Sequence, residues 1–510
     1  SHFSSTIPRS YPLMKNIFNR SPFQLAIISG ILVGCAFPPI PGFTAWFGFL
    51  PLIHIWQTQS PKESARWSFF AAVIANLISL YWIGLNSGAT ILPVLFSLIG
   101  AILYLGAIWA GLGWIISKIE IKTGNSLSIV PFLWATMEWI RSFGPLGFPW
   151  ANLATTQTVF LPVIQMVDIT GTEGVGFWIL LINIILYITV QAEFNKQKLL
   201  LCLLSVFLLP WIVGLMRLPT YEFSENDPYR EVAVIQPNIN PNQKWEASFR
   251  TRLYEIMDSL NVKAMDSKPN LVLWPEAALP AYMRVSPKRY KYEMMVQSKG
   301  IPIMMGTIDL KRDSTGRRVY NSSIYFGLEG NEIYHKKRLV PFAEYIPLSE
   351  QFPSLKNLNF GQANFTAGKE FTTFPLDSIL FSNMICYESS YPSVARGFVQ
   401  KGARFITLEA NDAWLRNSSG VRQHFELARL RAVELRTGIV RSANTGISGI
   451  IYPSGKVAKK IKFGEQAVFK GKVPLNQGIT FYARYGSVFA QMCFILTLIQ
   501  IVWLFRRPKK

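Results

Sequence analysis

Long apolar runs recur through the first 216 residues and return once near the end of the chain. Runs on the order of 20 residues, enough to cross a bilayer, are predicted near 22–37, 43–57, 67–84, 90–116, 125–140, 173–190 and 198–216, with one more near 486–505. The first two are short and broken by Pro38, Pro39, Pro41 and Pro51. From 229 to 480 the pattern changes. Short β-rich runs (Val232-Ala233-Val234-Ile235, Leu271-Val272-Leu273-Trp274, Pro302-Ile303-Met304-Met305, Ser323-Ile324-Tyr325-Phe326, Ile379-Leu380-Phe381, Phe405-Ile406-Thr407-Leu408, Gly449-Ile450-Ile451) alternate with helical patterns at 246–266, 286–299, 391–401 and 420–437. Several strands are apolar throughout, as when both faces of a sheet are covered. The alternation predicts an α/β sandwich. The expected architecture is a multi-span α-helical membrane domain of about eight transmembrane helices plus one α/β domain. Residues 1–220 hold seven helices, 221–483 the globular domain, and 484–510 a closing helix with a basic tail.

Composition agrees with a membrane protein: half the residues are hydrophobic and only 16% are charged. The net charge of +21 sits largely in short loops beside apolar runs, where Lys and Arg orient helices and meet lipid headgroups. No basic and aromatic stripe points to nucleic acid. Alternate connections carry the positive charge: Arg9, Lys15 and Arg20; Lys62 and Arg66; Lys118 and Lys122; Lys196 and Lys198; and Arg506, Arg507, Lys509 and Lys510. The connections 38–42 and 85–89 carry none, and 141–172 has only Arg141. By the positive-inside rule the charged set is cytoplasmic. The globular domain is then expected outside, which in a bacterium means the periplasm. The 141–172 connection contains Gly144-Pro145-Leu146-Gly147-Phe148-Pro149-Trp150 and reads as an interfacial or re-entrant loop.

Three strand ends present reactive groups. Leu271-Val272-Leu273-Trp274-Pro275-Glu276 ends a buried strand with a carboxylate, and Pro275 stops the ladder before it. Tyr334-His335-Lys336-Lys337-Arg338 is followed by an apolar stretch and Glu344. Met384-Ile385-Cys386-Tyr387-Glu388 offers a thiol. Cys35, Cys202 and Cys493 lie in apolar runs, so Cys386 has no evident disulfide partner. Ligands in open α/β folds are handled at the carboxyl ends of strands. A thiol of pKa about 8.5 is mostly protonated at neutral pH. A carboxylate can take its proton on attack, and a lysine ammonium can face the resulting oxyanion. Taken singly, each residue has a plainer role: a small core cysteine, a capping glutamate, a solvated basic cluster.

Jointly, and in this order, the Glu, Lys and Cys resemble the nitrilase superfamily. With membrane runs on both sides, the chain resembles its membrane-embedded apolipoprotein N-acyltransferase family. The marks are Gly147-Phe148-Pro149-Trp150, Trp274-Pro275-Glu276, Leu339-Val340-Pro341-Phe342-Ala343-Glu344-Tyr345-Ile346-Pro347-Leu348, Ile385-Cys386-Tyr387-Glu388, Asn411-Asp412-Ala413-Trp414 and Gln423-His424-Phe425. The resemblance implies an αββα sandwich with Glu276 as general base, Lys336 as oxyanion stabiliser and Cys386 as nucleophile. It implies supporting roles for Glu344, Tyr387 and Glu388, and places Trp245 on a mobile arm at the substrate entrance. Adjacent strand residues point to opposite faces, so only one of Lys336 and Lys337 can face the thiol. Counting back from Glu344 favours Lys336. Two departures stand out: Ala343 where the family has Gly, and Leu415-Arg416 where it often has Phe-Gly.

The implied reaction is ping-pong. Cys386 takes an acyl chain from the sn-1 ester of a phospholipid, typically phosphatidylethanolamine. It passes the chain to the α-amine of diacylglyceryl-cysteine in an apolipoprotein. The expected setting is the bacterial inner membrane, as a monomer with no cofactor and no metal; His2, His54, His335 and His424 show no ligand spacing. Segments 277–283 and 346–365 are candidate lids. Two other readings stay open at this point. One is a membrane-anchored nitrilase-like amidase acting on a small amide. The other is a transporter with a structural outer domain, for which Glu138, beside Arg141, is the clearest intramembrane ionisable group.

Overall fold

The computed structural model describes residues 17–87, 90–314, 316–349, 351–357 and 363–506. Arg9, Lys15, Arg507, Lys509 and Lys510, used above for orientation, lie outside the described residues, as does part of the 346–365 stretch.

The N-terminal half is helical. Its main helices are α1 (Pro22–Gly34), α2 (Leu50–Thr58), α3 (Pro61–Leu80), α4 (Ile91–Thr123), α5 (Val130–Ile140), α6 (Thr172–Gln191) and α7 (Lys196–Arg217). Among the described residues, four helical segments, Pro61–Leu85, Ile91–Thr123, Thr172–Gln191 and Lys196–Tyr221, are long and apolar enough to cross a membrane. Two of the expected runs take a different form. The 43–57 run is a 3₁₀ turn, Gly42–Trp46, followed by the nine-residue α2. The 125–140 run contains only the eleven-residue α5. In both helices a proline, Pro51 or Pro131, sits in the first turn. There its missing N–H costs nothing, so it sets a late start. Small residues let helices approach closely. A Cβ on Gly30 of α1 would lie 2.7 Å from the Ala71 carbonyl oxygen of α3, and one on Gly34 2.8 Å from that of Ala75. Along α7 only Gly214 is fully buried; Leu203, Val206, Phe207 and Trp211 pack partly against the core, while Leu201, Leu204, Leu209, Leu215 and Met216 face outward.

The second half holds two six-stranded sheets among the described residues. The first has the order β12-β1-β2-β3-β4-β5, with β1 (Tyr229–Gln236), β2 (Leu271–Leu273), β3 (Ile303–Asp313), β4 (Gly316–Phe326), β5 (Asn331–His335) and β12 (Ala467–Pro474). The second has the order β11-β10-β9-β8-β7-β6, with β6 (Phe374–Leu376), β7 (Ile379–Ile385), β8 (Ala403–Ala410), β9 (Ile439–Ala443), β10 (Ser448–Ile451) and β11 (Val457–Ile461). The centres, β1-β2-β3 and β7-β8-β9, are parallel. Helices α8 (Arg250–Asp266) and α9 (Arg289–Lys299) cover the first sheet. Helices α10 (Pro392–Gln400) and α11 (Ser419–Leu435) cover the second. Period-two alternation sorts each strand between layers. Val232 and Val234 pack between the sheets with Met384 and Leu408, whereas Ala233 and Ile235 meet Leu253 and Met257 of α8. The chain closes with α12 (Val488–Arg506) against α5.

The two halves share one core, which runs from Trp56 and Trp134 among the helices to Phe405 and Val440 in the second sheet. Asp168 seals the junction: it accepts from Arg217 at 2.6 Å and from Arg436 at 2.8 Å.

Candidate active site

The carboxyl ends of β2, β5 and β7 converge on the side that faces the helical domain. Buried Trp274 anchors the end of β2 by donating to Asn261 Oδ1 at 2.9 Å. Pro275 and Glu276 then leave the ladder, and Ala277 turns the chain at φ 44°. The turn lies tightly on Gly306 of β3, where a Cβ would fall 2.3 Å from the Pro275 carbonyl oxygen. Only glycine fits there.

Lys336 follows β5 and is 1% exposed. Its ammonium lies 3.3 Å from Glu276 Oε1 and 2.9 Å from Glu344 Oε1. Asn321, on β4, donates from Nδ2 to the same two oxygens at 2.8 Å each. Glu344 Oε2 accepts from the Val340 N–H at 2.7 Å. Two carboxylates, one ammonium and one amide thus form a buried polar knot. Burial alone pulls the Lys336 ammonium down, but Glu344, then Glu276, more than reverse this and hold it charged. Lys337 points elsewhere: it is half-buried, caps the Lys369 carbonyl and lies 4.1 Å from the Phe371 ring centre.

Cys386 sits at the end of β7 with φ 51°, a conformation uncommon for any residue with a side chain. Phe342, in the loop carrying Glu344, has φ 63°. Such backbone strain gathers where structure serves a site. Ala343 is not among the positive-φ residues, so its replacement of Gly costs no strain. Arg416 is the opposite case: at φ 52°, ψ −168° it occupies a region that favours glycine.

Burial pushes the Cys386 thiol well above its ordinary range, Glu276 adds to this, and Lys336 opposes it. At neutral pH it rests as a thiol and needs a base. Glu388 ties the ends of β5 and β7 together. Its Oε1 accepts from Tyr334 Oη and from the Lys337 N–H, both at 2.6 Å, and its Oε2 from the Ile385 N–H at 2.8 Å. The hydroxyls of Tyr387 and Tyr391 both donate to the Gly147 carbonyl of the helical domain, at 3.3 Å and 2.5 Å. Trp245 lies on the 3₁₀ turn Gln243–Trp245, half exposed, with no hydrogen bond to the knot among the described residues. Its neighbour Lys244 is buried. Burial draws it down to about 8, and the charge of Glu276 partly restores it.

The sequence reading did not single out Asn321, nor the polar cluster behind Cys386. His424 Nε2 lies 2.9 Å from the Cys386 carbonyl oxygen, and Nδ1 lies 2.6 Å from Asp412 Oδ1. Arg441 donates to Asp412 Oδ2 at 2.6 Å. Burial raises the Asp412 carboxyl, but Arg441 and His424 bring it down to about 2. Ligand atoms of Cys386, Asp412 and His424 lie within 4.8 Å of one another. Both His424 nitrogens have partners within the cluster, which braces the Cys386 turn.

Residues 29–185 match the family model of the apolipoprotein N-acyltransferase N-terminal domain, and residues 231–481 match that of carbon-nitrogen hydrolases. An apolipoprotein N-acyltransferase of Geobacter metallireducens is 32% identical, over 96% of this chain and 96% of the relative. The enzyme of the same name from Chlorobaculum tepidum is 28% identical, over 92% and 94%. Among solved structures, a Saccharomyces cerevisiae member of branch 10 of the nitrilase superfamily is 18% identical. It covers 50% of this chain and 93% of its own length, with a TM-score of 0.38.

Proposed function

Because the chain belongs to the apolipoprotein N-acyltransferase family, we propose that its lipoprotein N-acylation runs through an acyl-thioester on Cys386. The observation that carries the reading is the Lys336 ammonium, buried between Glu276 and Glu344 beside a thiol that its surroundings keep protonated. Glu276 takes the thiol proton as Sγ attacks the sn-1 ester carbon of a phospholipid, phosphatidylethanolamine in the first instance. The oxyanion forms facing Lys336, which Glu344 and Asn321 hold in place. Collapse breaks the ester C–O bond, and the leaving alkoxide takes the proton back from Glu276. A lysophospholipid departs, and the thioester remains.

In the second half-reaction the neutral α-amine of a diacylglyceryl-cysteine attacks the thioester, and Glu276 accepts its proton. The thiolate leaves and is reprotonated. Glu388 and Tyr387 keep the Cys386 turn in register with β5 and with the helical domain. Trp245, beside buried Lys244, borders the lipid entrance.

We place the enzyme as a monomer in the bacterial inner membrane. Eight spans, both termini in the cytoplasm and the 221–483 domain in the periplasm complete the reading. The alternation of charged and uncharged connections supports it. So does the position of Cys386, whose flanking tyrosines bond to the helical domain at Gly147. A soluble amide would need no such seat.

Mass spectrometry of the purified protein after exposure to phosphatidylethanolamine tests the chemistry. A fatty-acyl adduct on Cys386 is the expected result. Lysophospholipid released with no adduct on that residue would overturn the reading.

A further inference from the structure

Gln423 and His424 are neighbours on α11, and neither takes part in the scheme above. Gln423 is fully buried and spends its amide on the helical domain. Its Oε1 accepts from Trp150 Nε1 at 2.9 Å and Trp82 Nε1 at 3.2 Å. Its Nε2 donates to the carbonyls of Ser79 at 2.9 Å and Pro38 at 3.3 Å. These partners come from three separate segments: the turn after α1, the end of α3 and the 141–172 connection. His424 looks toward the nucleophile. A carbonyl can only accept, so His424 Nε2 carries a proton and donates to the Cys386 oxygen. Asp412, held by Arg441, fixes the ring from the other side, and the Trp150 ring packs 5.2 Å from it, centre to centre.

The carbonyl that His424 holds belongs to the Cys386–Tyr387 peptide. In a trans peptide the C=O and N–H point in opposite directions, so fixing one aims the other. The Tyr387 N–H lies in the first positions of the 3₁₀ turn Cys386–Ser390, where no acceptor exists within the turn. A backbone N–H held beside an attacking sulfur is where a tetrahedral oxyanion finds a donor. Ser389 Oγ also donates to the Cys386 carbonyl, at 2.9 Å, so the aim does not depend on His424 alone.

The geometry points to His424 as a positioning residue: it aims the Cys386–Tyr387 peptide so that the N–H meets the oxyanion, and Gln423 ties that aim to the helical domain. The inference rests on Cys386 being the nucleophile.

The test uses the full-length protein in lipid nanodiscs, with two readouts and a melting temperature for each variant. The first readout is the single-turnover burst of lysophospholipid, which passes through an oxyanion. The second is alkylation of Cys386 by iodoacetamide, a displacement at saturated carbon that forms none. In His424→Ala the burst slows about 10–100-fold, somewhat less than loss of a whole oxyanion donor, while alkylation stays within about threefold. Added imidazole recovers part of the burst. Gln423→Leu shifts the same pair of readouts in the same direction by about fivefold, because the brace is loosened but still present. A folded His424→Ala protein with an unchanged burst, or with alkylation slowed in step with it, overturns the proposal. If that variant does not fold, His424→Gln keeps a donor for the carbonyl and should retain most of the burst. A folded His424→Gln protein slowed equally in both readouts also overturns it. Cys386→Ser is run in parallel: lysophospholipid release that survives there removes the nucleophile reading itself, whatever His424 does.

Discussion

Replacing Lys336 with Met removes one charge and little volume from the centre of the site. Two losses follow. The oxyanion loses a preorganised donor, which costs about 10²–10³-fold in rate, or about 3–4 kcal/mol. In addition, Glu276 and Glu344 lose the ammonium between them, while their Oε1 atoms still share one Asn321 amide nitrogen. Like charges about 4 Å apart at an effective dielectric of about 20 repel by about 4 kcal/mol. The pair relieves this by moving apart or by sharing a proton, and either change spoils Glu276 as a base. We therefore expect Lys336→Met to slow single-turnover lysophospholipid release by at least about 10³-fold. The fold should also lose stability, because a buried charge pair broken on one side costs about 3–5 kcal/mol. Lys336→Arg restores charge but not shape and should recover only part of the rate. The assay is release of lysophospholipid from phosphatidylethanolamine in nanodiscs, with the Cys386 adduct followed by mass spectrometry. A folded Lys336→Met protein within about tenfold of the parent rate would refute the role given to the ammonium.

Three further outcomes are expected. Asn321→Leu strips one charge-assisted hydrogen bond from each carboxylate, each worth about 1.5–3 kcal/mol, and should lower both kcat/KM and the melting temperature, with lysophospholipid release and thermal unfolding as the checks. Arg416→Gly places glycine in the conformation the backbone already adopts and should raise stability by about 1 kcal/mol; a lower melting temperature would contradict the strain argument. The folded protein holds the Cys386 thiol well above its unfolded pKa of about 8.5, so this contribution to stability is complete below that pH and drains away as pH rises above it. Cys386→Ala should flatten that alkaline decline in melting temperature, and an unaltered slope would count against the shift.

The strand ends were legible because chemistry and punctuation coincide there: Trp274-Pro275-Glu276 and Ile385-Cys386-Tyr387-Glu388 each close an apolar run with a reactive group. The helices at 250–266, 289–299, 392–400 and 419–435 fall close to their predicted positions, since a 3.6-residue period survives in the sequence. Four strands escaped notice. Val457–Ile461 and Phe374–Leu376 are too short or too polar to show a run, and Ile439–Ala443 and Ala467–Pro474 gain their place by pairing. Asn321 was invisible for a related reason. Its partner in register is Ile308, and only the β3–β4 pairing brings it over Glu276. His424 and Asp412 sit in motifs the sequence reading did quote, but their contact with Cys386 depends on how α11 crosses the second sheet. Strand alternation allowed only one of Lys336 and Lys337 to face the thiol, and counting back from Glu344 picked Lys336. In the fold, one ammonium enters the knot and the other leans on Phe371.

The continuous packing from Trp134 to Val440 bears on how this enzyme can be handled. A fragment cut near residue 220 would lay bare the Trp82 and Trp150 seat of Gln423 and strand Arg436 without Asp168. Here the helical domain supplies part of the floor beneath the nucleophile turn, where the Gly147 carbonyl accepts from Tyr387 and Tyr391. The enzyme has to be purified, crystallised and engineered whole.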